Sequence, residues 1–106
     1  MKVIRGVNVF PTQVEAALLS LGEEVAPHYM MIVDRVNNAD VLTVMVEVNE
    51  KFFSDEIRAL EKLKNKVSNV LKQALGISVV VKLVEPKTIA RSEGKAKRVI
   101  DNRNLH

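Results

Sequence analysis

His28-Tyr29-Met30-Met31-Ile32-Val33-Asp34-Arg35, then Asn37-Asn38-Ala39-Asp40, then Val41-Leu42-Thr43-Val44-Met45-Val46-Glu47-Val48, is the stretch that decides the fold. Its first part is mainly apolar and reads as a largely buried strand. The Asn-Asn-Ala-Asp run reads as a turn. The last part alternates with period two: Leu42, Val44, Val46 and Val48 share one side, Thr43, Met45 and Glu47 the other. Successive side chains of a strand point to opposite faces, so the two runs predict an antiparallel hairpin with one face on a core.

Helical patterns flank this hairpin. Upstream, Thr12-Gln13-Val14-Glu15 has the form of a capping box just after Pro11, with Phe10 placed to pack on the first turn. Val14, Ala17, Leu18 and Leu21 follow at helical spacing, and Gly22 is a suitable terminator. Downstream, Ser54 is a good N-cap, with Asp55 and Glu56 where the helix dipole favours acids. Ile57, Leu60, Leu63, Val67, Val70, Leu71 and Ala74 then mark one face of a long helix ending at Gly76. Lys62, Lys64, Lys66 and Lys72 fall mostly off that face and are expected in solvent. Residues 78–84 form a last strong strand, stopped by Pro86. Residues 4–10 read as an irregular or short extended segment turning at Gly6, and residues 97–102 as a short strand or a helical turn. The expected fold class is therefore α+β: a small antiparallel or mixed sheet of about three main strands, two helices packed on it in two layers, and a basic C-terminal tail.

Length and composition bound the function. The 106 residues make one domain, too small to house a large substrate cleft as well as a core. There is no cysteine, which excludes disulfides and thiolate chemistry. His28 and His106 lack ligand spacing, so no metal site is expected. No apolar run approaches the roughly 18 to 20 residues of a membrane span, and the N-terminus has no signal-peptide pattern. A cytoplasmic protein without membrane contact fits these features. Positive charge gathers at the end: residues 87–106 carry six Lys/Arg against two Asp/Glu, in a chain of net charge +3. That segment can face an anion or only water.

Two segments can carry chemistry. In the tail, Gly94 lets the backbone turn sharply and Lys95 supplies a compact charge on a long stem. It is not a Walker A loop, because Ile89 and Ala96 stand where that motif needs Gly and Ser or Thr. On composition alone, a solvated basic tail is the simpler reading. The second segment is Arg5-Gly6-Val7-Asn8, polar or permissive residues in apolar surroundings; a plain turn before a capped helix explains it equally well. Tyr29 reads as a core or rim aromatic, and His28 as structural or surface.

Three segments in this order resemble the C-terminal domain of phenylacetate–CoA ligases: Ile4-Arg5-Gly6-Val7-Asn8-Val9-Phe10-Pro11 with Gln13-Val14-Glu15; His28-Tyr29 through Val33-Asp34-Arg35; and Arg91-Ser92-Glu93-Gly94-Lys95-Ala96-Lys97-Arg98-Val99-Ile100-Asp101. The resemblance covers essentially the whole chain. It implies that residues 1–106 are the small mobile domain of a larger acyl-adenylate-forming enzyme. Such an enzyme activates an aryl acid with ATP and Mg2+, then transfers the acyl group to coenzyme A. The resemblance further implies that Lys95 is catalytic in adenylate formation, that Gly94 shapes its loop, and that Arg5, Gly6, Val7 and Asn8 form a coenzyme A-side loop. There Arg5 would meet a phosphate or a neighbouring carboxylate. The implied partner is the N-terminal adenylating domain of the same polypeptide, which would hold most of the ATP, Mg2+ and acid. The chain starts downstream of the family's hinge, so it is expected to be an excised domain, inactive alone; homodimerisation of the parent stays open.

Two other classes compete. A stand-alone small-molecule-binding or regulatory α+β module suits the fold equally well, since fold does not dictate function. It leaves the Gly94-Lys95 and Arg5-Gly6 segments without a use. RNA binding suits the pI of about 9.3. However, the four aromatics Phe10, Tyr29, Phe52 and Phe53 form no alternating pair on an expected strand, so no nucleic acid partner is expected.

Overall fold

Residues that prefer extended backbone, punctuated by residues that tolerate left-handed backbone, set the architecture of this chain, seen here in a computed structural model that describes residues 2–22, 25–49, 57–85 and 99–103. The elements run β1 (Lys2–Ile4), β2 (Val7–Val9), α1 (Pro11–Leu19), β3 (Val25–Val36), β4 (Ala39–Val48), α2 (Ile57–Leu75), β5 (Val80–Val84) and β6 (Val99–Asp101). They form the expected α+β fold, with two helices, a two-stranded sheet β1-β2 and a mixed four-stranded sheet ordered β5-β4-β3-β6.

The long hairpin β3–β4 is the centre. Asn37 and Asn38 both have positive φ, 51° and 65°, which is the pattern of a type I′ turn. The loop is therefore two residues long, Val36 pairs with Ala39, and Asp40 lies within β4 opposite Arg35. The turn is two residues shorter than the four-residue Asn37–Asp40 turn expected from sequence. The register then brings Met31 opposite Val44 and Val33 opposite Leu42. It shifts between Val25 and Tyr29, where Pro27 has no N–H to offer the ladder.

One face of the sheet is core. Leu42, Val44, Val46 and Val48 are at most 2% exposed, as their alternation predicts, and Met31 and Val33 are fully buried beside them. α2 covers this face with Leu63, Val67, Leu71 and Leu75, a strict i, i+4 stripe. Ala74, expected on that stripe, is exposed, and Leu75 takes its place. The opposite face is not simply solvated. Thr43 and Met45 are half-buried and Glu47 is buried, yet among the described residues no buried side-chain polar atom lacks a hydrogen-bond partner. β5 runs parallel to β4, the expected result of a helical crossover through α2.

The N-cap of α1 lies two residues before the expected Thr12. Pro11 occupies the first helical position, where its fixed φ and missing N–H cost nothing. The N-cap is Phe10, whose N–H donates to Gln13 Oε1 at 2.9 Å. Thr12 is thus inside the first turn and exposed, and Phe10 is 42% exposed rather than packed away. Glu15 instead accepts from the hydroxyl of Tyr29, 3.1 Å from its Oε1, which anchors α1 to β3. At the far end of α2, Gly76 has φ 78° and its N–H donates to the Lys72 carbonyl at 2.8 Å, a left-handed helix stop. The expected Ser54 cap lies outside the described residues.

Of the two readings open for residues 97–102, the structure selects the short strand. It is β6, which pairs parallel to β3 with Met31 opposite Val99 and Val33 opposite Asp101. Residues 2–9 likewise take the short extended alternative, as a hairpin that turns at Arg5-Gly6. All three of these strands, β1, β2 and β6, are only three residues long, too short for periodicity to show. Among the described residues, no helix is long and apolar enough to cross a membrane.

The packing makes a direct prediction. Leu71 is fully buried, so Leu71→Ala removes buried methyl groups and leaves a cavity, at a cost of about 2–5 kcal/mol. Lys62→Ala, on the exposed side of the same helix, changes stability by less than about 0.5 kcal/mol. Urea unfolding of both variants, with midpoints compared at unchanged slope, checks this pair.

Candidate functional site

The hairpin β1–β2 closes through Arg5 and Gly6, with Ile4 opposite Val7. Both turn residues have positive φ, 53° and 76°. Glycine adopts this conformation without a Cβ penalty; arginine does so rarely and needs outside support. Asp40 supplies the support. The Arg5 N–H donates to Asp40 Oδ2 at 3.1 Å, and the Arg5 Nε–H donates to the Asp40 carbonyl at 2.9 Å. Of the four residues in this loop, Arg5, Gly6 and Asn8 are exposed and Val7 is half-buried. A Cβ built on Gly6 meets no protein atom within 4 Å, so the outer side of the turn is open. The hairpin is seated on the core by Ile4, next to the turn, and Val9, at its open end, both fully buried.

Asp40 is the hub of a larger cluster at this end of the sheet. Its Oδ1 accepts from Arg35 Nε at 3.2 Å, and its Oδ2 also accepts from Arg103 Nη1 at 3.1 Å. Arg103 Nη1 donates as well to the carbonyl of Val3 in β1, at 2.7 Å. The other edge of that guanidinium makes a fork on Asp101, with Nε to Oδ1 at 3.0 Å and Nη2 to Oδ2 at 2.8 Å. Asn102 extends the cluster through Nδ2 to Asp34 Oδ1 at 3.0 Å. The support is largely sheltered, with the Arg103 and Asp40 side chains 5% and 13% exposed, while Arg35 at 45% forms the rim.

The Arg5 amide hydrogen bond is the main cause that holds the Asp40 carboxyl below the usual aspartate range. Partial desolvation acts against it, and the Arg35 and Arg103 guanidiniums reinforce it. The hydrogen bond to Asp101 chiefly raises Arg103 further above its ordinary value. The chemistry available here is positioning and charge presentation rather than proton transfer, since the shifts hold Asp40 ionised and Arg103 charged. Among the described residues, no group of three or more His, Asp or Glu is arranged to hold a metal.

The structure thus brings Arg5 to a carboxylate, and it places Gly6 and Asn8 on the surface beside it. Lys95 and Gly94 lie outside the described residues. The residues missed in sequence are Asp40, Asp101 and Arg103. Asp40 had been read as part of a turn and Arg103 as tail charge, and they are separated from their partners by 35, 63 and 100 residues. The one local signal was the Asn37-Asn38 pair, which, read as a two-residue turn, sets Asp40 opposite Arg35.

The depressed Asp40 carboxyl carries a pH signature. Its contribution to stability is present above the ordinary aspartate pKa of about 3.9 and is lost as pH falls through the lower folded value. Thermal unfolding of the wild type and of Asp40→Asn between pH 7 and pH 3 should show a gap in midpoint that is widest near neutrality and narrows toward the acid end. A gap independent of pH contradicts an ionised Asp40 as the hub.

Residues 6–103 match the family described as the AMP-binding enzyme C-terminal domain. The phenylacetate-coenzyme A ligase of Thermus thermophilus is 41% identical over 97% of this chain, which spans 26% of that relative's length. The crystal structure of a domain of phenylacetate-coenzyme A ligase from Bacteroides vulgatus superposes with a TM-score of 0.89 at 31% identity, covering 100% of this chain and 95% of that one. A 2-hydroxyisobutyryl-CoA ligase, solved in complex with 2-HIB-AMP and CoA in its thioesterification state, gives a TM-score of 0.87 at 34% identity over 95% of this chain and 21% of its own. The chain belongs to the family of AMP-binding enzyme C-terminal domains.

Proposed function

We propose that this chain acts as the small C-terminal domain of an AMP-forming acid–coenzyme A ligase of the phenylacetate type. The observation that carries the reading is similarity along the whole chain, 41% identical over 97% of its length, to a phenylacetate-coenzyme A ligase of which it spans only 26%. The remaining part of such an enzyme would be an N-terminal adenylating domain. ATP, with Mg2+, and the aryl acid would be held mainly there.

The reaction divides into two halves with opposite demands. In the first, a carboxylate oxygen attacks the α-phosphorus of ATP, pyrophosphate leaves, and negative charge builds between the reactants. Lys95 would answer this need: an ammonium on a long stem after Gly94 can oppose the repulsion of both anions without forming a covalent bond. In the second, the coenzyme A sulfur attacks the acyl carbon and AMP leaves. That step needs a channel for a thin pantetheine arm. The Arg5-Gly6 turn suits its wall, because Gly6 is exposed and presents bare backbone with nothing above it. The solved 2-hydroxyisobutyryl-CoA ligase, with its adenylate and CoA in the thioesterification state, supports assigning this domain a part in the second half-reaction.

The test uses the intact parent ligase. Lys95→Ala should lower phenylacetate-dependent ATP–pyrophosphate exchange by roughly 100-fold or more, the scale of a lost transition-state charge contact. Acyl transfer from supplied phenylacetyl-adenylate to coenzyme A should persist. Gly6→Val should do the reverse. If each variant loses both halves equally, the division of labour between the two loops is wrong.

A further inference from the structure

We infer that Asp40, held in turn by Arg103, is the positioning residue of the Arg5-Gly6 turn and so of the second half-reaction; this rests on the coenzyme A-side reading above. Neither residue need touch a substrate.

The hairpin β1–β2 is a separate sheet, with no ladder to the four-stranded one. Burial of Ile4, next to the turn, and of Val9, at the open end, seats the hairpin on the core, while the turn residues Arg5 and Gly6 themselves stay exposed. Polar contacts fix the tip. The Arg5 amide and Nε both donate to Asp40, at 3.1 and 2.9 Å, one to the carboxylate and one to the carbonyl of the same residue. Two contacts from one residue to one residue determine direction as well as distance. Arg103 then braces both sides of the junction, reaching Asp40 Oδ2 and the Val3 carbonyl with the same nitrogen. Its second edge is locked by the fork on Asp101 at the end of β6.

The division between sheltered and exposed parts points the same way. Asp40 and Arg103 are nearly covered, whereas the turn they hold is open to solvent. Arg5 stands at φ 53°, a conformation that its two bonds to Asp40 support. A sheltered ionic support beneath an exposed turn is what a loop needs when it must present its backbone in one orientation. A displacement of about 1 Å in such a positioning element can cost on the order of 100-fold in rate.

The experiment measures both half-reactions in the intact parent, together with its unfolding midpoint, for Asp40→Asn and Arg103→Lys. Asparagine keeps the shape of Asp40 but not its charge. Lysine keeps the charge of Arg103 but not its fork. Either variant should slow acyl transfer from supplied phenylacetyl-adenylate by roughly 10- to 100-fold in kcat, leaving ATP–pyrophosphate exchange within about twofold. Having two variants keeps the test decisive should one not fold. Equal loss of both half-reactions marks a merely structural role and overturns the inference, as does unchanged transfer in both variants. Gly6→Val separates the two levels. If it abolishes transfer while Asp40→Asn does not, only the positioning role fails; if neither affects transfer, the coenzyme A-side reading fails with it.

Discussion

The register between β3 and β4 is the constraint on which the rest of this structure depends. Two asparagines with positive φ close the hairpin in two residues and set Asp40 opposite Arg35. The same register puts Val44 and Val46 on the face that α2 covers. A slip of one residue would turn Leu42, Val44, Val46 and Val48 to the wrong face. It would also carry Asp40 away from Arg5 and Arg103. Core and site are thus two consequences of one turn.

The cluster built at that turn is better understood as specifying geometry than as adding stability. Ion pairs that leave water lose solvation, and their net contribution is often small or negative. Removing one partner is another matter, because the remaining charges are left sheltered and unpaired. Three arginines and three aspartates meet here from the two hairpins and the end of β6. The result is a joint between two sheets that share no ladder, placed beneath the Arg5-Gly6 turn that we assign to the coenzyme A side.

The errors of the sequence reading have identifiable causes. Thr12 and Glu15 satisfy the capping pattern, but Pro11 is already a fit first helical residue, so the helix begins before Thr12 and Gln13 makes the capping bond. Glu15 is then available for Tyr29. Ala74 and Leu75 are neighbours at the last turn of α2, and the stripe from Leu63 in steps of four selects Leu75. For residues 97–102 the sequence left a short strand and a helical turn open; the choice of strand depends on pairing with β3, a partner 68 residues away in sequence.

By itself, the sequence determined the helices, the long hairpin, the core face of β4 and the glycines at 6 and 76, because periodicity and backbone tolerance are local properties. It also carried the family, through motifs spread over the whole chain. The tertiary structure alone decided which charges meet. Arg5, Asp40 and Arg103 lie in three separate segments, each with an unremarkable local pattern, and no periodicity links residues 35 and 63 positions apart. Only the folding of two turns and a strand end to one edge of the sheet makes them neighbours.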